Sequence, residues 1–425
     1  MSFIFAGVAL LFFVKAVSSV FHARWARRLP SWEATCSERV CARTINREAS
    51  AAAALRAPSP PVGEKDGMRG IGSSRDLEAS PASAPDFIRC SVVLAARNEE
   101  DRIERTIRHL LGQRGVEIEI LAVDDRSTDR TNEILQRIAA EDSRVRVRRV
   151  DSLPDGWLGK CHACHVGASA ATGEWILFTD ADCWLKPDVL ARALRVANRE
   201  RADHVALTPG VAPETLAGQA WHLAFLLTVV DWISRVNHDK PKAYLGMGAF
   251  NLVRAEVYRA CGGYEALRLT VLDDVRLGLL VRRSGKRTRA FIGGDDTECH
   301  WGATARSMIK IMEKNYFAAL DYRAVPAFVL GLGGPAVCAV AAIGPFTGTL
   351  AGLAAGMALL SLIWPSALLA RRLGWGWGGA VLTPFIFPVL CYSVLNSAWV
   401  TLRQGGIRWR ETFYPLHLLK AGGVR

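Results

Sequence analysis

Three pairs of closely spaced aspartates could do chemistry: Asp124 with Asp125, Asp180 with Asp182, and Asp273 with Asp274. The middle pair ends the run Trp175-Ile176-Leu177-Phe178-Thr179. A short apolar run of strand-forming residues reads as a buried strand of a parallel sheet, and ligands in open α/β sheets gather at the carboxyl ends of strands. Two carboxylates there suit a hard divalent cation, which is bound by one or two carboxylates together with waters and substrate phosphates. Taken alone, the pair fits equally well as a surface cap of a following helix over 185–197. Asp124 and Asp125 close a second apolar run, over 118–123, and Asp273 and Asp274 open a helix. Strand ends of a parallel sheet share one edge, so the first two pairs converge there, and the third can reach the same cleft. One pair for a metal, one for a base or ribose, and one carboxylate to accept a hydroxyl proton make a transferase with a phosphate leaving group.

Periodicity gives the elements that must position these groups. Apolar runs over 90–95 and 118–123 predict strands, 145–150 reads as a third strand, and 101–111, 131–140 and 161–171 have helical spacing. This alternation means right-handed βαβ units and a parallel sheet. Beyond Asp182 the sequence predicts a helix over 187–199, a strand over 204–208 and a long amphipathic helix over 216–236. A loop over 244–251, a strand over 288–292 and an amphipathic helix over 304–320 follow.

The ends have another character. Residues 2–20 are apolar apart from Lys15, and Arg24, Arg27 and Arg28 follow them, which predicts a transmembrane helix over 1–22 with the chain beyond it in the cytoplasm. From 23 to 86 periodicity is lost and Ala, Ser, Pro and Gly dominate, as in a disordered linker, with one short helix over 47–56. A catalytic domain is expected over 87–322. No charged residue occurs from 326 to 370, and a third apolar stretch over 380–400 is interrupted by Pro384 and Pro388. Two to three transmembrane helices are therefore expected over 326–402, with a basic tail over 403–425. If all four apolar stretches span, the odd–even count puts that tail outside, against the positive-inside tendency. A re-entrant or interfacial third stretch keeps it inside. The balance tips slightly towards four spans.

The net charge of +12 fits a surface facing an anionic leaflet. No recognition helix, zinc-finger spacing or aromatic-basic repeat supports a nucleic-acid partner. The ten cysteines form no framework, as expected in a reducing compartment.

Four motifs in order carry a resemblance: Ala96-Arg97-Asn98-Glu99-Glu100, Val123-Asp124-Asp125-Arg126-Ser127-Thr128-Asp129, Thr179-Asp180-Ala181-Asp182, and Leu272-Asp273-Asp274-Val275-Arg276-Leu277-Gly278. The chain over about 85–320 resembles the family 2 inverting glycosyltransferases, which have the GT-A fold, a Rossmann-like, mostly parallel α/β sheet. Leu153-Pro154-Asp155-Gly156-Trp157-Leu158-Gly159-Lys160, Gly262-Gly263-Tyr264 and Gly405-Gly406-Ile407-Arg408-Trp409-Arg410 are similar to the membrane-bound branch of hopene-associated and carotenoid-type (diaponeurosporenoate) glycosyltransferases. The resemblance implies that Ala95, Arg97, Glu99, Asp125, Lys160 and Asp180 bind the nucleotide-sugar. It implies that Asp180 and Asp182 hold Mg²⁺ or Mn²⁺, and that Asp274, with Asp273 beside it, takes the acceptor proton. One sugar would pass with inversion to a lipid or membrane-embedded acceptor, at the cytoplasmic face of the inner (cell) membrane.

Processive relatives carry Gln-x-x-Arg-Trp after the base. The helix here reads Ala305-Arg306-Ser307-Met308-Ile309-Lys310 and lacks it, which argues against a polysaccharide-forming enzyme and leaves Arg306 and Lys314 as candidates for the diphosphate. A catalytically silent membrane scaffold is opposed by intact carboxylates at all three sites. A nucleotidyltransferase would want a Gly-rich loop where Ala95-Ala96-Arg97-Asn98 stands. Cys161, Cys164 and His165 share a helix face, as packing groups or, less simply, as metal ligands. His300 and Trp301 read as a core pair or as contacts to diphosphate and sugar. Gly246 and Gly248 mark either a plain turn or a close approach at the acceptor. Trp375 and Trp377 suit an interfacial belt. Nothing in the sequence points to a protein partner.

Overall fold

The computed structural model describes residues 2–25, 88–302 and 304–424. The linker expected over 23–86, with its short helix over 47–56, lies outside the described residues beyond position 25. The first helix is Ser2–Trp25, and with the chain from 88 onward it forms one compact unit.

The strands, in chain order, are β1 Arg89–Ala96, β2 Glu117–Asp125, β3 Val145–Val150, β4 Trp175–Asp180, β5 Cys183–Leu185, β6 His204–Leu207, β7 Gly210–Val211, β8 Asn251–Arg254, β9 Thr288–Phe291, β10 Thr297–Cys299, β11 Gly406–Trp409 and β12 Thr412–Pro415. Seven of them make one sheet in the order β3-β2-β1-β4-β8-β6-β9. All its pairings are parallel except those of β8 with β4 and β6. This is the mostly parallel α/β sheet that the sequence predicts. Both faces are covered over β1, β2 and β4, which is why these strands read as apolar runs rather than as alternation, whereas β3 at the edge is half exposed. Val92 and Leu94 of β1 pack with Ile103, Ile107 and Leu110 on one face, while Val93 meets the Gly159–Ser169 helix on the other.

Register fixes the site. Ala95 of β1 lies opposite both Val123 and Asp180, and Ala96 lies opposite Asp124. The carboxylates that end β2 and β4 therefore share one sheet edge.

The structure departs from the expected elements in several places. The loop expected over 244–251 ends in β8, which inserts antiparallel between β4 and β6. The helix expected over 304–320 breaks into Ala305–Met312 and Tyr316–Ala319. Pro384 and Pro388 do not interrupt the last apolar stretch, which is one helix, Trp377–Gln404. The stretch before it is divided instead, into Leu350–Leu360 and Ile363–Arg372. The basic tail is folded: β11 and β12 form a hairpin, followed by the helix Leu416–Gly422. Ile407 and Tyr414 of the hairpin are buried in the same core as Phe317 and Leu419.

Among the described residues five helices are long and apolar enough to cross a membrane: Ser2–Ala23, Leu216–Asn237, Ala324–Thr347, Leu350–Arg372 and Trp377–Gln404. The second of these was expected only as an amphipathic helix. It is buried on several faces, through Trp221, Leu223, Leu227, Val230 and Ile233.

Candidate active site

Two cavities meet at the sheet edge. One, of about 330 Å³, is lined by Ala95, Arg97, Glu99, Asp125 and Gly159. The other, of about 340 Å³, is lined by Asp273, Asp274 and a largely apolar wall that includes Phe225, Val229, Leu245 and Met247. Lys160, Asp180, Asp182, Trp301, Lys314 and Trp409 line both. The structure thus gathers Ala95, Arg97, Glu99, Asp125, Lys160, Asp180, Asp182, Asp273 and Asp274 around the two cavities, but not Asp124. Arg306 does not line either cavity.

At the end of β4, Lys160 Nζ donates to Asp180 Oδ1 at 2.6 Å and stands 3.8 Å from Asp273 Oδ2. Burial pulls this ammonium down, but Asp180, Asp273 and Asp274 outweigh it and hold the lysine well above its usual range. Asp182 goes the other way: burial first, then the charge of Asp180, pushes its carboxyl up to about 6. Ligand atoms of Asp180, Asp182 and Cys183 lie within 4.8 Å of one another. The two carboxylates are the hard oxygen donors that Mg²⁺ or Mn²⁺ takes. Cys183 does not fit such a cation. Its buried thiol lies beside Cys299, with a pKa well above the usual thiol range, and it donates to Asp182 Oδ1 at 3.8 Å.

The second acidic pair starts the helix Asp273–Arg283. Asp274 Oδ2 accepts from the Gly248 N–H at 2.7 Å, and Oδ1 from the Val275 N–H at 2.8 Å. Burial, with Asp273 adding to it, pushes the Asp274 carboxyl up to about 6. Asp273 is buried and accepts from the Tyr264 hydroxyl at 2.9 Å. Gly248 separates the two pairs: its N–H meets Asp274, and a Cβ on it would stand 2.4 Å from Asp180 Oδ2. Gly246 is as tight, since a Cβ there would stand 1.9 Å from the Asp274 carbonyl oxygen. Both glycines are required by close approach to the protein's own Asp180 and Asp274 atoms.

Around the first cavity, Asp124 is fully buried and accepts from the Ser127 N–H, so it shapes the turn after β2. Asp125 holds the Arg126 guanidinium at 2.8 and 3.1 Å. Gly159 leaves room for that pair, because a Cβ on it would meet Asp125 Oδ2 at 2.4 Å. Cys161 and Cys164 are packed in the core, and His162 and His165 lie against Trp157. His300 is exposed and edges Trp184 at 4.2 Å, with the Arg105 guanidinium over the same indole.

Sequence reasoning missed the part played by the C-terminal hairpin. Its turn residues reach the first cavity: Arg410 Nη2 donates to Glu99 Oε1 at 2.5 Å, and Arg97 Nη2 donates to Glu411 Oε2 at 3.0 Å. Tyr414 Oη accepts from the Gly159 N–H at 3.2 Å, and the Lys314 ammonium lies 3.8 Å from the centre of the Trp409 ring. Burial, with Lys160 next, pulls Lys314 down to about 8. The signal was present in Gly405-Gly406 followed by alternating Ile407 and Trp409 and then Tyr414, which is a helix stop and then a hairpin pattern.

The sequence model of the family described as Glycosyl transferase family 2 matches residues 91–262. The chain is 35% identical over 198 residues to the 4,4'-diaponeurosporenoate glycosyltransferase of Staphylococcus haemolyticus, over 45% of this chain and 51% of that protein. It is 27% identical over 195 residues to the protein of the same name from Staphylococcus aureus strain USA300, over 44% and 50% of the two chains. The chain thus spans about half the length of the curated relatives it matches. The mannosyltransferase PcManGT from Pyrobaculum calidifontis, solved in complex with GDP-Man and Mn²⁺, is 17% identical with a TM-score of 0.49, over 94% of this chain and 99% of that one. The match to the Glycosyl transferase family 2 model thus covers residues 91–262, less than half of the chain, and the four motifs stand in order on a mostly parallel sheet.

Proposed function

We propose that this protein is a membrane-anchored inverting glycosyltransferase that moves one sugar from a nucleotide-sugar to the hydroxyl of an apolar, membrane-embedded acceptor. The observation that carries the reading is the junction of two unlike cavities. A polar one, lined by Arg97, Glu99 and Asp125, suits a nucleotide, and an apolar one ends on Asp274; Lys160, Asp180 and Asp182 stand between them. Asp125, near Ala95 and Gly159, meets the base or ribose. Asp180 and Asp182 would hold Mg²⁺ or Mn²⁺, which when bound would supply positive charge to the leaving diphosphate. Lys160 adds a fixed positive charge there. Asp274 takes the acceptor proton, and a carboxyl raised to about 6 is close to the pKa that a general base needs near neutral pH. Asp273, locked by Tyr264, is a positioning group that keeps Lys160 turned to the site.

The apolar helices support the membrane part of this reading. Leu216–Asn237 lies in the connection that runs from β6 through β7 to β8, and β6 and β8 are neighbours in one sheet. Were it to cross, residues 238–250 would have to return through hydrocarbon without helical structure, which lipid does not tolerate. Trp377–Gln404 touches the catalytic domain along its length. Trp375, just before it, lines a small cavity with Thr208, Val211 and Trp301; Leu390 packs on Met308 and Met312; Ser397 Oγ donates to the Glu313 carbonyl. Its exposed Trp377, Val381, Phe385, Tyr392 and Trp399 fall on one face. Both helices are therefore read as lying at the membrane surface. Ser2–Ala23, Ala324–Thr347 and Leu350–Arg372 cross it, and the tail stays on the catalytic side. This three-span reading stands beside the four-span arrangement and carries no conflict with the positive-inside tendency, which favours a cytoplasmic catalytic domain.

The test is incubation of membranes containing the protein with a panel of labelled nucleotide-sugars, followed by lipid extraction. Labelled lipid with one donor, lost in Asp182→Ala, is the expected result. No labelled lipid with any donor, or labelling indifferent to Asp182→Ala, would sink the reading.

A further inference from the structure

We infer that the C-terminal hairpin is part of the donor site, with Trp409 holding the Lys314 ammonium against the leaving diphosphate and the hairpin turn fastened to the nucleotide pocket by two crossed ion pairs. This rests on the donor reading given above and extends it to a segment that lies outside the matched family region of 91–262.

The crossed pairs are the first observation. The hairpin turn is Arg410-Glu411, between the paired residues Trp409 and Thr412. Arg410 reaches Glu99, and Glu411 receives Arg97, so two side chains of the loop after β1 are engaged by two consecutive residues more than 300 positions later. Arg410 has φ +54°, a left-handed conformation that suits Gly or Asn in a two-residue turn and is strained for arginine. Such strain persists where the surroundings over-determine it. Here they do: the hairpin is anchored behind by buried Ile407 and Tyr414, and Tyr414 Oη takes the Gly159 N–H beside Asp125.

The second observation is the position of Trp409 and Lys314. Both line the polar and the apolar cavity, so they stand where the two meet, across from Lys160, Asp180 and Asp182. A lysine over an indole face at 3.8 Å is held in direction by the ring quadrupole, and no hydrogen bond among the described residues takes its remaining N–H donors. The Arg97 Nε is shielded from solvent and has no hydrogen-bond partner among the described residues, so this pocket still has a buried donor to offer. An anionic ligand with charge at the junction and polar groups in the first cavity satisfies these features together. That is a nucleoside diphosphate, whose outer phosphate reaches Lys314, whereas a monophosphate falls short of it.

Calorimetry on the full-length protein in nanodiscs, with UDP, GDP, dTDP and their monophosphates in the presence of Mn²⁺, tests this. Lys314→Gln and Trp409→Ala are expected to weaken the preferred diphosphate about tenfold or more, the scale of a lost charge-assisted contact, and to change monophosphate affinity much less. Trp409→Phe, which keeps a ring over the ammonium, should recover most of the loss. Lys314→Gln guards against a collapsed hairpin, because it removes charge with little change of volume. Unchanged diphosphate affinity in Lys314→Gln, or equal losses for mono- and diphosphate, would overturn the inference and leave the donor reading standing. A wild-type protein that binds none of the diphosphates would overturn both.

Discussion

The two acidic pairs of the cleft are built on opposite plans. Asp180 and Asp182 close a strand, with Lys160 as the charged partner of Asp180 and open cavity on both sides. Asp273 and Asp274 open a helix, and their oxygens are taken by Tyr264, Gly248 and Val275. The strand-end pair is met by side chains that can move, Lys160 on Asp180 Oδ1 and the Cys183 thiol on Asp182 Oδ1, which suits the exchangeable cation proposed for it. The helix-start pair spends its oxygens on orientation, as a group that must meet one hydroxyl at one angle should. Carboxylate count does not distinguish the pairs, but their hydrogen-bond partners do. The division predicts that substitutions in the two pairs fail differently.

The largest effect should come from Asp274→Asn. The amide keeps shape and part of the hydrogen bonding but cannot take a proton, so turnover should fall by about 10²–10⁴-fold while nucleoside-diphosphate affinity stays near that of the wild type. Single-turnover assays beside calorimetry measure both; loss of binding in Asp274→Asn would erase the proposed division. Asp182→Ala should do the reverse. Diphosphate binding should lose its dependence on Mn²⁺, read as a flattened Mn²⁺ titration.

The pH profile separates the pairs without mutation. Asp274 and Asp182 are both raised to about 6 by burial and by a neighbouring carboxylate, and both act deprotonated. Activity is therefore full above that value and lost as pH falls through it. In kcat/KM, which reports free enzyme, both groups contribute, and the acid limb should approach a slope of two. At saturating donor and Mn²⁺ the Asp182 carboxylate is engaged, so kcat should fall with a slope of one, about tenfold per pH unit. Equal slopes would mean that a single group titrates.

A subtler test uses the glycine between the pairs. In Gly248→Ala the new Cβ meets the movable carboxylate of Asp180 at 2.4 Å, whereas in Gly246→Ala it meets the backbone oxygen of Asp274 at 1.9 Å. The first should raise the apparent KM for donor and Mn²⁺ several-fold with little loss of stability. The second has no side chain to push aside and should cost about 1–3 kcal/mol of stability, read by thermal unfolding.

How much of this was legible beforehand follows from what short-range pattern encodes. The βαβ half was legible because β1, β2 and β4 are buried on both faces and read as continuous apolar runs before polar turns. The Asp180 pair was visible for the same reason. Asn251-Leu252-Val253-Arg254 was not, since four residues carry no period that separates a strand from a loop, and only the gap between β4 and β6 makes it one. Prolines at 384 and 388 suggested an interruption, but a helix packed on protein along one side tolerates them. Trp409 and Arg410 were quoted as a motif yet assigned to a tail. What gives them a place is contact with Lys314, Arg97 and Glu99, and such distant pairings leave no trace in local spacing.

The smallest expected effect bears on Asp273, the one member of the four whose role the comparison leaves least exposed. Tyr264→Phe removes one hydroxyl donor from a carboxylate that is only 2% exposed. Leaving a buried acceptor short of a partner costs about 1–3 kcal/mol, so the melting temperature should drop. Asp273 would still face Lys160 at 3.8 Å, and a carboxylate that only steers the lysine tolerates a slightly looser hold, so kcat should stay close to that of the wild type. If Asp273 were itself the base, freeing its oxygen from Tyr264 would change its proton affinity directly, and both kcat and the position of its acid limb would move. A lower melting temperature with an unmoved acid limb therefore assigns Asp273 to positioning, and a shifted limb transfers the proton from Asp274 to its neighbour.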